Sequence, residues 1–303
     1  MKYDVITLGS ATLDVFVKAD EELRKHEGHM DMCYHLGEKL LIKDLEFTTG
    51  GGATNVAVAM SRLGLKTGFI GALGSDHNSD KILGELKNEK VNFLGIRING
   101  NAGYSIILAG DSDRTILTSR GVNDNFRTKD LPKKFDTKWL YASTMMGKSF
   151  DSLKLAVKKA KSQNVNVALN ISLPLAQRGI NYLSQILNDT DFLILNKEEA
   201  LALAGEKDLE TAIRIISYDC RGIIVVTDGP NPVYVYQNNT LLVDKIKRIS
   251  PVDTTGAGDA FASGFLFGLI KRKDILTCIR YGEKESASVL MHIGAKNNLL
   301  KKL

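Results

Sequence analysis

The 303 residues carry 40 Lys and Arg against 35 Asp and Glu, a net charge of +5, with 44% apolar and 25% charged residues. That is an ordinary globular composition, long enough to bury the core of one large α/β domain or of two small ones, and its mild, evenly spread positive charge gives no case for a nucleic-acid partner. No apolar run nears the roughly 20 residues of a membrane span. Cys33, Cys220 and Cys278 are odd in number and far apart, so they read as free buried thiols of a reducing cytoplasm.

In chain order, "YDVITLG" reads as a buried first strand, since Asp4 and Gly9 interrupt any signal-peptide core. Residues 11–49 contain "ATLDVFVKADEE" and "GEKLLIKDLEFTT", which alternate apolar and polar with a period of two. "GATNVAVAMSRLG" is helical, with Val56, Ala59, Met60 and Leu63 on one stripe and Gly64 as a stop. "KTGFIGALG" predicts a second strand and "SDKILGELKNEKV" a helix capped by Ser79 or Asp80. Residues 97–120 predict two short strands around Gly110, Asp111 and Asp113. From "WLYAST" to "GIIVVTD", strands alternate with helices of about a dozen residues, the pattern of βαβ units in a mainly parallel sheet covered on both faces. The two period-two segments look like antiparallel strands added to that core. Placed at the carboxyl ends of the parallel strands, where open α/β sheets bind ligands, they would form a lid. No repeat, low-complexity tract or linker divides the chain. A single domain, 1–303, is expected, with the lid built from 11–49 and 97–120.

One stretch carries chemistry: "SPVDTTGAGDAFASGFLFGLI", from Ser250 to Ile270. Phe261, Phe265 and Leu269 repeat at helical spacing, so Gly256, Ala257 and Gly258 fall at a helix N-terminus. Outward N–H groups and the helix dipole can hold an anion there, and small residues let it approach. Asp259, in the first turn, would repel that anion; its economical role is as a base that takes a proton from a hydroxyl attacking phosphorus. The Gly-Lys-Ser/Thr of a Walker A loop is absent, and Phe261 stands where a dinucleotide fingerprint needs its third glycine. Taken alone, Gly-x-Gly-Asp is equally a plain turn with a capping acid.

The longer run "DTTGAGDAFASGFL" resembles the signature of the PfkB/ribokinase family of carbohydrate and nucleoside kinases, and the family's other motifs follow in order along the whole chain. "TGGGATNVAVAMSRLG" is similar to the N-terminal signature at Gly50, Gly51 and Asn55; "LNKEEALAL" matches Asn-x-x-Glu at Asn196 and Glu199. "VVTDGPNPVYVY" is similar to the nucleotide-binding strand and turn at Thr227 and Gly229, and "SASVLMHIGAKN" to the segment that covers adenine, at Ala287, Gly294 and Ala295. The resemblance implies a ribokinase-like three-layer α/β/α sandwich with a small antiparallel β lid, and transfer of the γ-phosphoryl group of ATP, with Mg²⁺, to a hydroxyl. It implies Asp259 as base; Gly256, Ala257 and Gly258 as anion hole; and Asp14, Gly50, Gly51 and Asn55 against substrate. It further implies Asn196, Thr227, Gly229 and Ala287 against ATP, Glu199 on Mg²⁺ through water, and Asp253 with Thr255 at a monovalent-cation (K⁺) site.

The same residues have blander readings. Asn196 and Glu199 are also a capping-box pair, Asp14, expected at the end of the first strand, could be a solvated turn acid, and Asn55 a structural amide. Gly52 stands where ribokinases usually carry Lys, which weakens ribose as substrate; "ALNISLP" around Asn170 keeps an adenosine-like nucleoside open. Arg114 and Arg120 read as solvated charges of the lid, with an anionic substrate as the other possibility, and His292 as structural. A catalytically silent sugar- or nucleotide-binding relative, or an enzyme phosphorylating a vitamin precursor, would share the fold. Val15, Val17, Leu41, Ile106 and Leu108 give the lid an apolar face, so a homodimer joined lid to lid is expected.

Overall fold

The computed structural model of the chain describes residues 1–19, 22–26, 29–110 and 114–303. Asp111 and Asp113, expected in the turn after Gly110, lie outside the described residues. In chain order the first elements are β1 (Tyr3–Leu8), β2 (Thr12–Ala19), β3 (Glu22–His26), β4 (His29–Cys33), β5 (Ile42–Gly50) and α1 (Gly52–Arg62). Next come β6 (Thr67–Ile70), β7 (Ala72–Leu73), α2 (His77–Asn88), β8 (Asn92–Phe93), β9 (Ile96–Arg97), β10 (Gly103–Ala109) and β11 (Arg114–Ser119). The second half holds β12 (Thr137–Ala142), α3 (Ser149–Ser162), β13 (Asn166–Asn170), α4 (Leu173–Ala176), α5 (Ile180–Asn188), β14 (Phe192–Asn196), α6 (Lys197–Ala204) and α7 (Leu209–Asp219). β15 (Ile223–Thr227), β16 (Val233–Gln237), β17 (Thr240–Asp244), α8 (Ala257–Ile270) and α9 (Ile275–Leu290) complete the chain.

Among the described residues the main sheet runs β17-β16-β15-β14-β13-β12-β1-β6-β8. It is parallel from β15 to β8 and antiparallel at β16 and β17. Its strands are apolar on both faces because helices cover both. Leu140, Val167, Leu169, Leu193, Leu195, Ile224 and Val226 pack against helices α3 to α7. The residues between them, Tyr141, Ala168, Ile194 and Val225, pack against α1, α8 and α9. This alternation is the period of two turned into three layers.

A second, four-stranded sheet, β11-β10-β2-β5, stands over the carboxyl ends of the parallel strands. Two of its pairings are antiparallel, as expected, and the third, β2 with β10, is parallel. Register divides its faces. Leu13, Val15, Val17, Leu45, Phe47, Ile106, Leu108 and Leu117 share one face; Asp14, Phe16, Lys18, Thr48, Ser105, Ile107 and Arg114 share the other.

Four details depart from the sequence reading. "KTGFIGALG" is two strands, because the chain leaves the main sheet after β6 and β7 pairs with β9 instead. Helix α2 is capped by Asp76, whose carboxylate accepts from Ser79 N at 3.3 Å and from Ser79 Oγ at 2.6 Å, so Ser79 is the residue being capped. The β3–β4 hairpin was not anticipated, since "ELRKH" is mostly charged and exposed, and the face shared by Leu23, Met30 and Met32 appears only once the two strands pair. Cys33 is only partly buried, unlike Cys220 and Cys278.

Candidate active site

The glycines of the 253–259 run are required by geometry. Gly256 caps α8 with φ of 77°, in the left-handed region, and a Cβ there would stand 2.4 Å from Cβ of Ala295. The first turn of α8 therefore opens on a surface without side chains. Ala257 N–H leans back to Thr254 O at 3.3 Å, a long bond, so the amides of Gly258 and its neighbours are the more open ones of this turn.

Asp259 lies in that turn and is partly buried. Its Oδ2 accepts a hydrogen bond from Asn55 Nδ2 at 2.8 Å. Burial pushes its carboxyl up to about 6; the Asn55 bond and the Lys296 charge oppose that rise, and the nearby Asp14 charge adds to it. Asn55 itself comes from α1, which Gly51 starts with φ of 97°; a Cβ on Gly51 would meet Ser10 O at 2.5 Å. The amide of Asn55 is thus committed to Asp259 through its nitrogen, while its Oδ1 is buried without a partner among the described residues. A Cβ added at Gly52 would lie 3.4 Å from Ser143 Oγ and 3.5 Å from Asp259 Oδ1, so the space left by this glycine opens directly on Asp259.

Asp14 is the third residue of β2, not the end of the first strand. It is 7% exposed and aims at the site from the polar face of the small sheet, paired in register with Thr48 and Ser105. Thr12 Oγ1 donates to it at 2.9 Å, and it packs so tightly on Gly50 that a Cβ there would come within 1.9 Å of Oδ2. Burial raises its carboxyl, against hydrogen bonds from Thr12 and Ser105 and the charge of Lys296.

The four residues expected at the nucleotide, Asn196, Thr227, Gly229 and Ala287, all line one cavity of about 400 Å³, which ends against Ala257 and Gly258. Its walls are largely apolar: Val233, Ile246, Phe261 and Leu290. Asn196 and Glu199 do form the capping box, with Glu199 N to Asn196 Oδ1 and Asn196 N to Glu199 Oε2 both at 2.8 Å. The box does not exhaust Glu199. Its carboxyl is pushed up to about 7, first by burial and then by the charges of Asp259 and Glu198. Asp253 acts as a clamp. Oδ1 accepts from Thr255 N at 2.9 Å and Thr255 Oγ1 at 2.8 Å, and Oδ2 from Gly294 N at 2.9 Å. Arg114 is no solvated charge: it reaches from the small sheet to Thr254 and stands 4.0 Å from Asp253. Arg120 pairs with Asp124 instead, at 2.6 Å, and His292 is exposed. Beside Arg114 a cleft of about 670 Å³ lies between the small sheet and residues 251–254, with Phe16, Lys18 and Ile107 in its wall.

The pfkB family carbohydrate kinase model matches residues 7–302, nearly the whole length over which these groups converge. The chain belongs to the pfkB family of carbohydrate kinases. It is 31% identical over 248 residues to an uncharacterized sugar kinase of Archaeoglobus fulgidus, covering 80% of this chain and 98% of the relative. It is 25% identical over 307 residues to a ribokinase of Bacillus subtilis, covering 98% and 96%. In fold it is similar to the crystal structure of adenosine kinase from Sinorhizobium meliloti, with a TM-score of 0.83 at 21% identity over 97% and 96% of the two chains.

Three residues of this pfkB kinase site escaped the sequence reading. Asn123 ties the root of β2 to the turn after β11, donating to Ala11 O at 2.9 Å and accepting from Ala11 N at 3.1 Å. Tyr141 is fully buried, with its phenol pushed well up by burial and by the charges of Asp259 and Glu199. Lys296 is 4% exposed. Asn123 and Lys296 sit in polar stretches that read as loop, and Tyr141 in a strand where an aromatic reads as core; the contacts that give each its place span over 100 residues of sequence.

Proposed function

We propose that this kinase transfers the γ-phosphoryl group of ATP to a hydroxyl of a sugar or closely related small molecule, with Asp259 as general base. The observation that carries the reading is Asp259 itself: a carboxylate fixed by Asn55, beside the open first turn of α8, at the end of a cavity of nucleotide size. As the acceptor oxygen bonds to phosphorus, its proton passes to Asp259, and the bond from phosphorus to the leaving oxygen of ADP breaks with its electron pair. A carboxyl near 6 is ionised at neutral pH yet basic enough to share that proton. The amides of residues 256–258 face the developing charge on the transferred group. Asn196, Thr227, Gly229 and Ala287 would hold the nucleotide.

Mg²⁺ would suit the carboxylates Glu199 and Asp259, since the charge of Asp259 raises Glu199 and a dication would relieve that repulsion. Among the described residues no three His, Cys, Asp or Glu side chains gather as a metal cage, which suits an ion that keeps its waters and binds phosphate oxygens. K⁺ beside Asp253 and Thr255 would tighten a clamp that already orders the anion loop. The small sheet serves as the lid, with Asp14 and Asn55 toward the acceptor's hydroxyls and Gly50 and Gly51 allowing close approach.

One observation favours a nucleoside as the second reading. Phe16 and Ile107 put apolar walls in the cleft under the small sheet, which a base would use and a bare sugar would not. A coupled ADP-release assay over sugars, sugar phosphates and nucleosides, run in K⁺ and in a bulky organic cation, tests both. Turnover of at least one acceptor, faster in K⁺, is expected; no turnover of any acceptor above the ATP-hydrolysis background refutes the kinase reading.

A further inference from the structure

We propose that Ser143 sets which acceptor this kinase takes: its hydroxyl, with the carbonyl of Asn55, forms an uncharged polar subsite beside Asp259 that holds a second hydroxyl of a neutral polyol. The inference deepens the kinase reading and rests on it for Asp259 as the base.

Ser143 directly follows β12, which lies beside β1 in the main sheet. From β1 the chain reaches β6 by way of α1, and from β12 it reaches β13 by way of α3, with the two helices on opposite faces of the sheet. Connections that diverge in this way leave a crevice at the carboxyl ends of the two strands, where open α/β sheets bind ligands. Ser143 N donates across it to Leu8 O at 2.9 Å. A Cβ on Gly9 would stand 2.2 Å from Ser143 Oγ, so that glycine makes room for the hydroxyl.

Ser143 is 2% exposed and Asn55 6%. Ser143 Oγ and Asn55 Oδ1 are both buried without a hydrogen-bond partner among the described residues. Folded proteins leave few buried polar atoms unpaired, because each one costs stability until something pairs with it. These two belong to one place. The point where a Cβ on Gly52 would stand is 3.4 Å from Ser143 Oγ and 3.5 Å from Asp259 Oδ1, so both oxygens border the same small space. Asn55, one turn along α1 from Gly52, holds the other oxygen of that carboxylate at 2.8 Å. The chemistry of the space selects its ligand. Asp259 and Asn55 Oδ1 accept hydrogen bonds, and Ser143 Oγ accepts or donates. Asp14 packs on Gly50, two residues before Gly52. Two nearby cations are turned elsewhere: Lys296 Nζ to Glu85 and Thr49, at 2.7 and 2.8 Å, and Arg114 to Thr254. Sugar hydroxyls both donate and accept, and match this set. An ionised phosphate or carboxylate only accepts, and would meet acids.

The test is calorimetry on ATP-free protein with ribose, fructose, adenosine and ribose 5-phosphate as probes. Wild type is compared with S143A, which removes only the oxygen, and with G52A, whose methyl fills the shared space at ordinary contact distance and suits a helix. Wild type is expected to bind at least one neutral probe, and to bind it more tightly than ribose 5-phosphate. Both variants should bind that probe about 3- to 10-fold more weakly, the worth of one hydrogen bond. Among its single-deoxy analogues, one should bind wild type more weakly and S143A no more weakly than the parent probe does. S143A should melt no lower than wild type, since Oγ has no partner to lose; a serine with a structural task would melt lower. The proposal is overturned by an S143A variant with unchanged affinity, by losses in S143A that add to those of every deoxy analogue, or by a wild type that binds no neutral probe or prefers ribose 5-phosphate. No ATP is present, so a protein that binds a polyol through Ser143 and phosphorylates nothing would refute the kinase reading and leave the subsite standing. An active kinase indifferent to S143A would refute the subsite alone.

Discussion

Replacing Asp259 with Asn exchanges one oxygen for an NH₂ group and leaves the local packing in place. Asn55 Nδ2 now donates to Oδ2 at 2.8 Å; the new side chain can offer its carbonyl oxygen to the same donor, so stability should change little. The NH₂ group then faces the acceptor hydroxyl and cannot take its proton. Loss of a positioned base costs about 10²–10⁴ in kcat, or about 3–5 kcal/mol of transition-state stabilisation. KM for ATP should hold, because the cavity of Thr227, Gly229 and Ala287 is untouched. In the wild type, kcat/KM should fall tenfold per unit below about pH 6, as Asp259 takes up its proton; the variant should lose that limb. Steady-state kinetics from pH 5 to 9, with ATP affinity by calorimetry and a melting curve, measure all three. A variant that keeps more than half of wild-type kcat, or the same acid limb, refutes the role of Asp259.

Glu285 should make stability fall with rising pH. Its carboxyl is fully buried and is pushed up to about 7 by that burial, against the Leu300 amide and the Arg62 charge. A raised acid binds more protons folded than unfolded between its ordinary value and 7, so its contribution is complete below the ordinary value and is lost as pH rises through 7. E285Q should therefore be more stable than wild type at pH 8, by up to about 3 kcal/mol; melting curves that stay parallel from pH 5 to 8 would reject this. The outward face of the small sheet, with Leu45 52%, Phe47 53% and Leu117 53% exposed, should join two copies in solution. Light scattering is expected to give twice the 33.2 kDa of one chain, and F47E the single mass; a wild-type monomer excludes the dimer.

The parallel core was legible because its signal is local. Strands buried on both faces are short apolar runs, and their helices have caps and stripes that can be read within a dozen residues. The placing of Asp259 and the glycines at a helix start was legible for the same reason, since cap, small residues and acid fall within four residues of sequence. What escaped depends on contacts between distant segments. A lysine in "IGAKN" reads as surface until α2 and β5 close around it, and an asparagine in "RGVNDN" reads as loop until it grips Ala11. The sequence put Asp14 at the end of the first strand and the structure puts it in β2, because nothing local marks where β1 stops and β2 begins across "GSAT".

The register of the small sheet restricts how it can move. Thr12, Gly50, Gly103 and Ser119 stand at the same end of four neighbouring strands, and each strand joins the rest of the chain there. Four attachments in a row act as a piano hinge: the sheet can rock about that line but cannot slide or twist away from it. Asp14 is two residues from the axis, at a radius of about 7 Å, while Arg114 pairs with Ala109, about 20 Å out. A given rocking angle therefore displaces Arg114 roughly three times as far as Asp14. The grip on Thr254 parts first, and the cleft opens beside residues 251–254 while the carboxylate of Asp14 stays nearly where it was.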